Sequence, residues 1–135
     1  MKNINVKTRR RCEMIDITSD VAKCIKDSGI VSGIVCVFVP HTTAGVSINE
    51  NADPDVIRDV MFAMERAVPN ADFLHSEGNS DAHTKAQLTG FSLNLIVEDA
   101  RVILGTWQSI YFCEYDGPRQ RQVYVKMISQ ISDKL

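Results

Sequence analysis

Hydrophobic positions recur along the chain in two periods, one suited to strands and one to helices, without a regular strand–helix repeat. Ile4, Val6 and Thr8 alternate with charged and polar residues, which predicts a strand over residues 3–10 with one wet face. Cys12, Met14 and Ile17 continue it over 11–17 after a bend. Thr18 or Ser19 offers an N-cap for a helix over 20–27, in which Val21, Cys24 and Ile25 share a face and Gly29 supplies the stop. The β-branched run over 33–39 reads as a buried strand ended by Pro40. Asp53-Pro54 starts a helix that runs to about Ala67, with Val56, Ile57, Val60, Met61 and Met64 on one side. After Pro69-Asn70 and a polar stretch, a short helix over 81–88 turns Ala82, Ala86 and Leu88 inward, capped by Gly90. Alternating segments follow at 91–97, 100–104, 108–115 and 120–129, with turns at Glu98-Asp99 and at 116–119; the last strand is expected to pair back. Seven or eight strands and two or three helices predict an α+β fold, a largely antiparallel sheet folded as a sandwich in a single domain spanning 1–135.

Composition narrows the partners. With 135 residues, 44% hydrophobic, the chain can bury an ordinary core, and a formal net charge of -2 argues against non-specific nucleic-acid binding. Basic runs at 7–11 and 119–121 keep small anions open as ligands. No apolar leader-like segment is present, and the longest apolar run, 30–40, is shorter than the roughly 20 residues a membrane span needs. Cys12, Cys24, Cys36 and Cys113 form no C-x-x-C pair and sit in apolar-patterned segments, as buried free thiols do. The expectation is a cytoplasmic protein with no membrane partner.

Residues 75–85 break the pattern. They place His75, Glu77, Asn79, Asp81, His83 and Lys85 together, with almost nothing able to anchor a core. Such an island is either a solvated loop or a site. His41 stands after the buried strand and a proline, so His41, His75 and His83 could converge on a divalent metal, zinc in preference to magnesium because the ligands are imidazoles. His-x7-His matches no local ligand pair, and one or two of these residues could equally be surface histidines. Glu77 and Asp81 are candidates for orienting an imidazole or acting as general base. Thr42 and Thr43, in a small polar stretch, could bind an anion through hydroxyls and backbone N–H groups. Arg119 and Arg121, with Lys85, could grip phosphate oxygens, although Arg121 in an alternating strand also suits a solvent face. Asn49 and Asn79 could hydrogen-bond a ligand or simply form turns. Trp107 and Gln108 follow Gly105-Thr106 in a mixture of sizes unlike a plain core strand.

Six segments in order, from about residue 33 to 127, carry a family resemblance. They are Pro40-His41-Thr42-Thr43-Ala44-Gly45, the stretch 49–54, His75-Ser76-Glu77-Gly78-Asn79, Asp81-Ala82-His83, Leu104-Gly105-Thr106-Trp107-Gln108 and the stretch 114–121. Together they resemble the secondary thiamine-phosphate synthase family. Thr84 and Thr89 stand where a more apolar residue is expected. The resemblance implies an α+β homotrimer with histidines, acids and arginines grouped at an active site. It also implies a secondary ability to join a pyrimidine diphosphate to a thiazole phosphate with loss of pyrophosphate. Imidazoles suit such chemistry poorly, since pyrophosphate usually takes Mg²⁺ with oxygen ligands. A metal-dependent hydrolase or lyase of a small phosphorylated substrate, or a non-enzymatic trimer binding an anion or metal, therefore stand as alternatives. Catalytic roles are expected of Glu77, Asp81 and Lys85. Substrate contacts are expected of Thr42, Thr43, Asn49, Asn79, Trp107, Gln108, Arg119 and Arg121, and metal contacts of His41, His75 and His83.

Overall fold

The computed structural model describes residues 1–131. Five strands make one sheet, in the order β1 (Lys2–Lys7), β8 (Gln120–Ser129), β3 (Gly33–Phe38), β5 (Ser92–Glu98) and β6 (Arg101–Val102). A second sheet has β2 (Glu13–Asp16) and β4 (Ala44–Glu50) flanking β7 (Gln108–Glu114). Every strand pairing is antiparallel. With three helices added, this is the α+β fold that the two hydrophobic periods imply.

Side-chain alternation explains the layers. In β7, Ile110 and Phe112 belong to the core between the sheets, whereas Tyr111 and Cys113 lie in a second cluster on the other face. The first core joins Val35, Val37, Val123 and Val125 to Val46, Ile110 and Phe112, and α1 (Thr18–Ser28) adds Val21 and Ile25. In the second, Ala82 and Ala86 of α3 (Ser80–Thr89) pack with Tyr111, Cys113 and Tyr115, joined by Ile57, Met61 and Met64 of α2 (Pro54–Ala67). Burial on both faces makes β7 the axis of the molecule.

Local chemistry sets the ends of the elements. Asp53 caps α2 by accepting from Asp55 N–H at 2.9 Å. β1 stops at Lys7 because Glu13 Oε2 accepts from Arg9 N–H and Arg10 N–H, at 2.5 and 2.9 Å, and bends the chain. Asp99 and Ala100 both take positive φ, the conformation of a tight two-residue hairpin turn between β5 and β6.

Three expectations need correction. Thr18 is no side-chain cap: its Oγ1 accepts from Ile110 N–H at 2.8 Å, so it ties the start of α1 to β7. Leu88 is 66% exposed, and the inward position on α3 goes to Lys85, which is fully buried. β8 does not pair back on β7; it crosses to the other sheet and lies between β1 and β3. Thr8 directs that crossing, because its N–H donates to Arg119 C=O at 3.0 Å and its Oγ1 accepts from Arg119 N–H at 2.8 Å.

All four cysteines are free. Burial pushes the thiols of Cys113 and Cys12 up to about 11, so neither is an activated nucleophile at neutral pH. Among the described residues, no helix is long and apolar enough to cross a membrane.

Candidate functional site

The chain leaves β3 at Phe38, passes through Pro40 to Thr43, and enters β4 at Ala44. That connection forms one wall of a cavity of about 480 Å³. The polar island forms another wall through His75, Glu77, Asn79 and His83, and the turn into β8 supplies Asp116, Arg119 and Arg121. The structure thus brings His41, His75, His83, Thr42, Thr43, Glu77, Asn79, Arg119 and Arg121 to one place.

The island folds back on itself at Gly78, whose φ of +74° is costly for a residue with Cβ; its N–H donates to His75 C=O at 3.1 Å. This turn sets the ring of His75 edge-on to that of His83, with centres 5.6 Å apart. Asn79, just before α3, donates from Nδ2 to Asp116 Oδ2 at 2.9 Å. Its Oδ1 is buried without a hydrogen-bond partner among the described residues, an acceptor left for a ligand or cation.

Each arginine is held by a carboxylate residue and keeps one nitrogen in reserve. Arg121 donates from Nε to Glu114 Oε2 at 2.8 Å, and from Nη2 to Glu114 Oε1 at 2.5 Å and Thr43 Oγ1 at 2.8 Å. Arg119 donates from Nε to Asp116 C=O at 2.9 Å and from Nη2 to Asp116 Oδ2 at 3.1 Å. Among the described residues no hydrogen bond engages Nη1 of either arginine, and both residues line the cavity. Glu114 is fully buried and also accepts from Thr8 Oγ1 and Asp116 N–H, so the guanidinium of Arg121 is clamped from behind.

His41 has a distinct state. Its Nε2 accepts from Gln122 N–H at 2.9 Å, which places the proton of the neutral ring on Nδ1. Burial, reinforced by the charge of Arg121, holds its pKa below the usual 6.5, so it is uncharged at neutral pH. With that lone pair engaged, His41 is a hydrogen-bond donor rather than the metal ligand expected of it.

Other expected site residues lie elsewhere. Asp81 receives a bidentate pair of hydrogen bonds from Arg11, both 3.0 Å, which pull its pKa below the ordinary carboxylate range. Lys85 is bonded to Glu65 of α2, with Asp81 Oδ2 at 3.9 Å. Neither lines the cavity; both fasten α3, the helix that carries His83. Asn49 lines a small apolar cavity beside Cys113 and Tyr115. Trp107, 61% exposed, and Gln108, whose Oε1 accepts from Gly105 N–H, shape the loop before β7 away from the histidines. Thr89 bonds Tyr115 Oη at 2.6 Å, a reason for a hydroxyl where an apolar residue was expected.

Sequence reasoning passed over Asp116, read as a turn residue, and left Glu114 without a role. The signal for Glu114 was present: a carboxylate ending an otherwise apolar strand requires a buried cation. Arg11 and Glu65 gave no comparable signal, since both look like surface charges.

Comparison with known proteins gives the lineage. The family model for UPF0047, YjbQ-like proteins matches residues 2–130. The UPF0047 protein YugU of Bacillus subtilis is 50% identical over 130 residues, 95% of this chain and 98% of that protein. A UPF0047 protein of Methanocaldococcus jannaschii is 49% identical over 124 residues, 91% of this chain and 90% of that one. Among solved structures, an uncharacterized YjbQ/UPF0047 protein of Clostridium acetobutylicum superposes with a TM-score of 0.93 at 50% identity, covering 95% of this chain and 100% of that one. A YbjQ-like protein of unknown function from Sulfolobus solfataricus gives 0.92 at 31% identity, with 96% of each chain covered. These matches overturn the thiamine-phosphate synthase resemblance, and with it the transferase assignment, because none of them carries that activity in its description. Matched along nearly its whole length, the chain belongs to the UPF0047, YjbQ-like family.

Proposed function

We propose that the cavity binds the phosphate of a small phosphorylated compound, and that the protein acts on it as a hydrolase or lyase with a divalent metal on His75 and His83. The observation that carries this reading is the pair of arginines, each clamped through Nε and Nη2 with Nη1 uncommitted, facing the same cavity as three imidazoles. Fixed guanidinium groups with donors to spare suit phosphate oxygens. The Thr42 hydroxyl, exposed at the same wall, adds a further donor.

Charge balance supports a metal. In the cavity lining Arg119 and Arg121 are matched by the carboxylates of Glu77 and Asp116, with Glu114 bonded behind Arg121, so these side chains leave little net attraction for a dianion. A divalent cation reverses that balance. Two imidazoles sharing a tetrahedral zinc, with Zn–N bonds of about 2.0–2.1 Å, put their ring centres about 5 Å apart, close to the spacing of His75 and His83. Among the described residues no group of three or more His, Cys, Asp or Glu is arranged to hold a metal ion, so a cation here would rest on His75 and His83 alone, with substrate or water at its other positions. Such an ion would polarise a phosphoryl oxygen or lower the pKa of a bound water. Glu77, exposed and outside every ion pair among the described residues, is placed to take a proton. His41 Nδ1–H can donate a hydrogen bond to a developing negative oxygen.

The test is the binding of inorganic phosphate followed by calorimetry, with zinc supplied and with zinc chelated, together with phosphate release from a small phosphomonoester. Expected are binding that depends on zinc, loss of about tenfold or more in affinity for Arg121→Lys, and phosphate release that His83→Ala abolishes. Phosphate affinity that ignores both chelator and Arg121→Lys would overturn the reading.

Self-association belongs to the same proposal. Ile34, Ile96 and Ile128 are direct cross-strand neighbours on the open face of the five-stranded sheet, 40%, 55% and 60% exposed. That row supports self-association, proposed here as a homotrimer, which light scattering after gel filtration tests: three chains are expected, and a monomer at micromolar concentration would refute it. Free thiols throughout support a cytoplasmic setting.

A further inference from the structure

Beside the polar cavity runs a second, of about 340 Å³, lined by Phe38, Val39, Pro40, His41, Thr42 and Phe91. Pro40, His41 and Thr42 line both spaces, so His41 stands as the partition between a charged compartment and an apolar one. The walls of the apolar compartment are tied together: Val39 N–H donates to Phe91 C=O at 2.8 Å, which holds the end of β3 against the residue before β5. Phe38, at the rim, is 42% exposed, and its ring centre lies 6.4 Å from that of Tyr124. Apart from His41 and Thr42, the compartment offers a ligand only hydrocarbon.

We propose that the ligand is a phosphate monoester of an aromatic or similarly flat apolar group, its phosphate on Arg119 and Arg121 and its ring between Phe38 and Phe91. This rests on the phosphate reading above and adds the class of the alcohol. Continuity carries the argument: an ester whose phosphate lies against His41 and Thr42 reaches the apolar compartment on the other side of those same residues. Aromatic walls favour a ring in offset or edge-on contact over a flexible polar chain, which would lose its hydration there without partners. Sugar phosphates and amino-acid phosphates are therefore poor candidates. The separation also assigns work to His41. His41 lines both compartments and its Nε2 is already engaged, so its Nδ1–H is the group left to donate to the bridging ester oxygen.

The experiment compares two esters of similar charge, methyl phosphate and phenyl phosphate, by calorimetry on the protein with zinc supplied. Burial of a phenyl ring predicts phenyl phosphate to bind at least about tenfold more tightly. Phe38→Ala, a change at the exposed rim, should reduce that ratio to about two or less, and Phe91→Ala should do the same where it folds. Equal affinity for the two esters overturns the apolar compartment as a substrate site and leaves the phosphate reading standing. Failure of both esters to bind overturns the phosphate reading and this one together. An unchanged affinity ratio in Phe38→Ala, accompanied by a change in the mass of the assembly, shows that a second copy of the chain covers the groove, and overturns the proposal.

Discussion

Replacing Glu114 with Gln tests the clamp behind the site. The carboxylate is fully buried and accepts four hydrogen bonds, from Thr8 Oγ1, Asp116 N–H, Arg121 Nε and Arg121 Nη2. Gln keeps the shape but removes the charge, and its amide turns a donor toward a donor at one of the two oxygens. Arg121, only 4% exposed at its side chain, is then left as a buried cation without its counter-ion. Removing one partner of such a pair costs about 3–5 kcal/mol, against a total of about 5–15 kcal/mol for a domain. With an unfolding entropy of about 2.1 cal/mol/K per residue, the loss over 135 residues corresponds to a fall in Tm of about 10–18 °C. Urea denaturation and calorimetry measure both quantities, with Glu98→Gln, on the exposed end of β5, as the control. The double variant Glu114→Leu/Arg121→Met removes both charges and should recover at least about half of the loss. It should still bind no phosphate, because the guanidinium is gone. A loss below about 1 kcal/mol for Glu114→Gln would mean that the buried charge is not what holds Arg121.

Four further outcomes follow from the geometry. Lys85→Met should cost less than about 2 kcal/mol, because Glu65 is half exposed and Asp81 keeps Arg11; it should leave phosphate affinity within about twofold by titration. Asp81→Asn should destabilise at pH 7. Because Arg11 lowers the folded-state pKa of Asp81, the wild-type advantage is full above the unfolded value near 3.9 and shrinks as pH falls further, which urea melts at pH 7, 4 and 3 would show. His41 should appear by nitrogen NMR as the Nδ1–H tautomer; with its pKa lowered, the unfolded chain takes up this proton first, so its contribution to stability declines as pH falls below about 6.5. Gly45→Ala should destabilise strongly, because an added Cβ would lie 2.5 Å from Gly90 C=O, a backbone contact with nowhere to yield; a melt within 2 °C of wild type would contradict it.

Elements with a strong local signature were legible in the sequence. The Asp53-Pro54 helix start, the apolar run of β3 and the alternation of β5 all depend on neighbours a few residues away, and all three appear in the structure. The pairing of β8 was not legible, because it depends on Thr8 reaching Arg119 across more than a hundred residues. Site residues divided along the same line. His41, His75, Glu77, Asn79, His83, Arg119 and Arg121 lie at element ends that open on one cavity. Asp81 and Lys85 share their stretch and polarity, yet α3 turns them toward the protein rather than the cavity. Polarity identified that segment as special, whereas helical phase decided which of its side chains face a ligand and which face Arg11 and Glu65.

A crystal structure grown with zinc and methyl phosphate, with anomalous data at the zinc edge, would show whether the cavity between the island and β8 is a metal-assisted phosphate site. Expected are an anomalous peak between His75 and His83 and a phosphate within hydrogen-bond distance of Nη1 of both Arg119 and Arg121. A zinc peak elsewhere, or a phosphate that avoids both arginines, would contradict it.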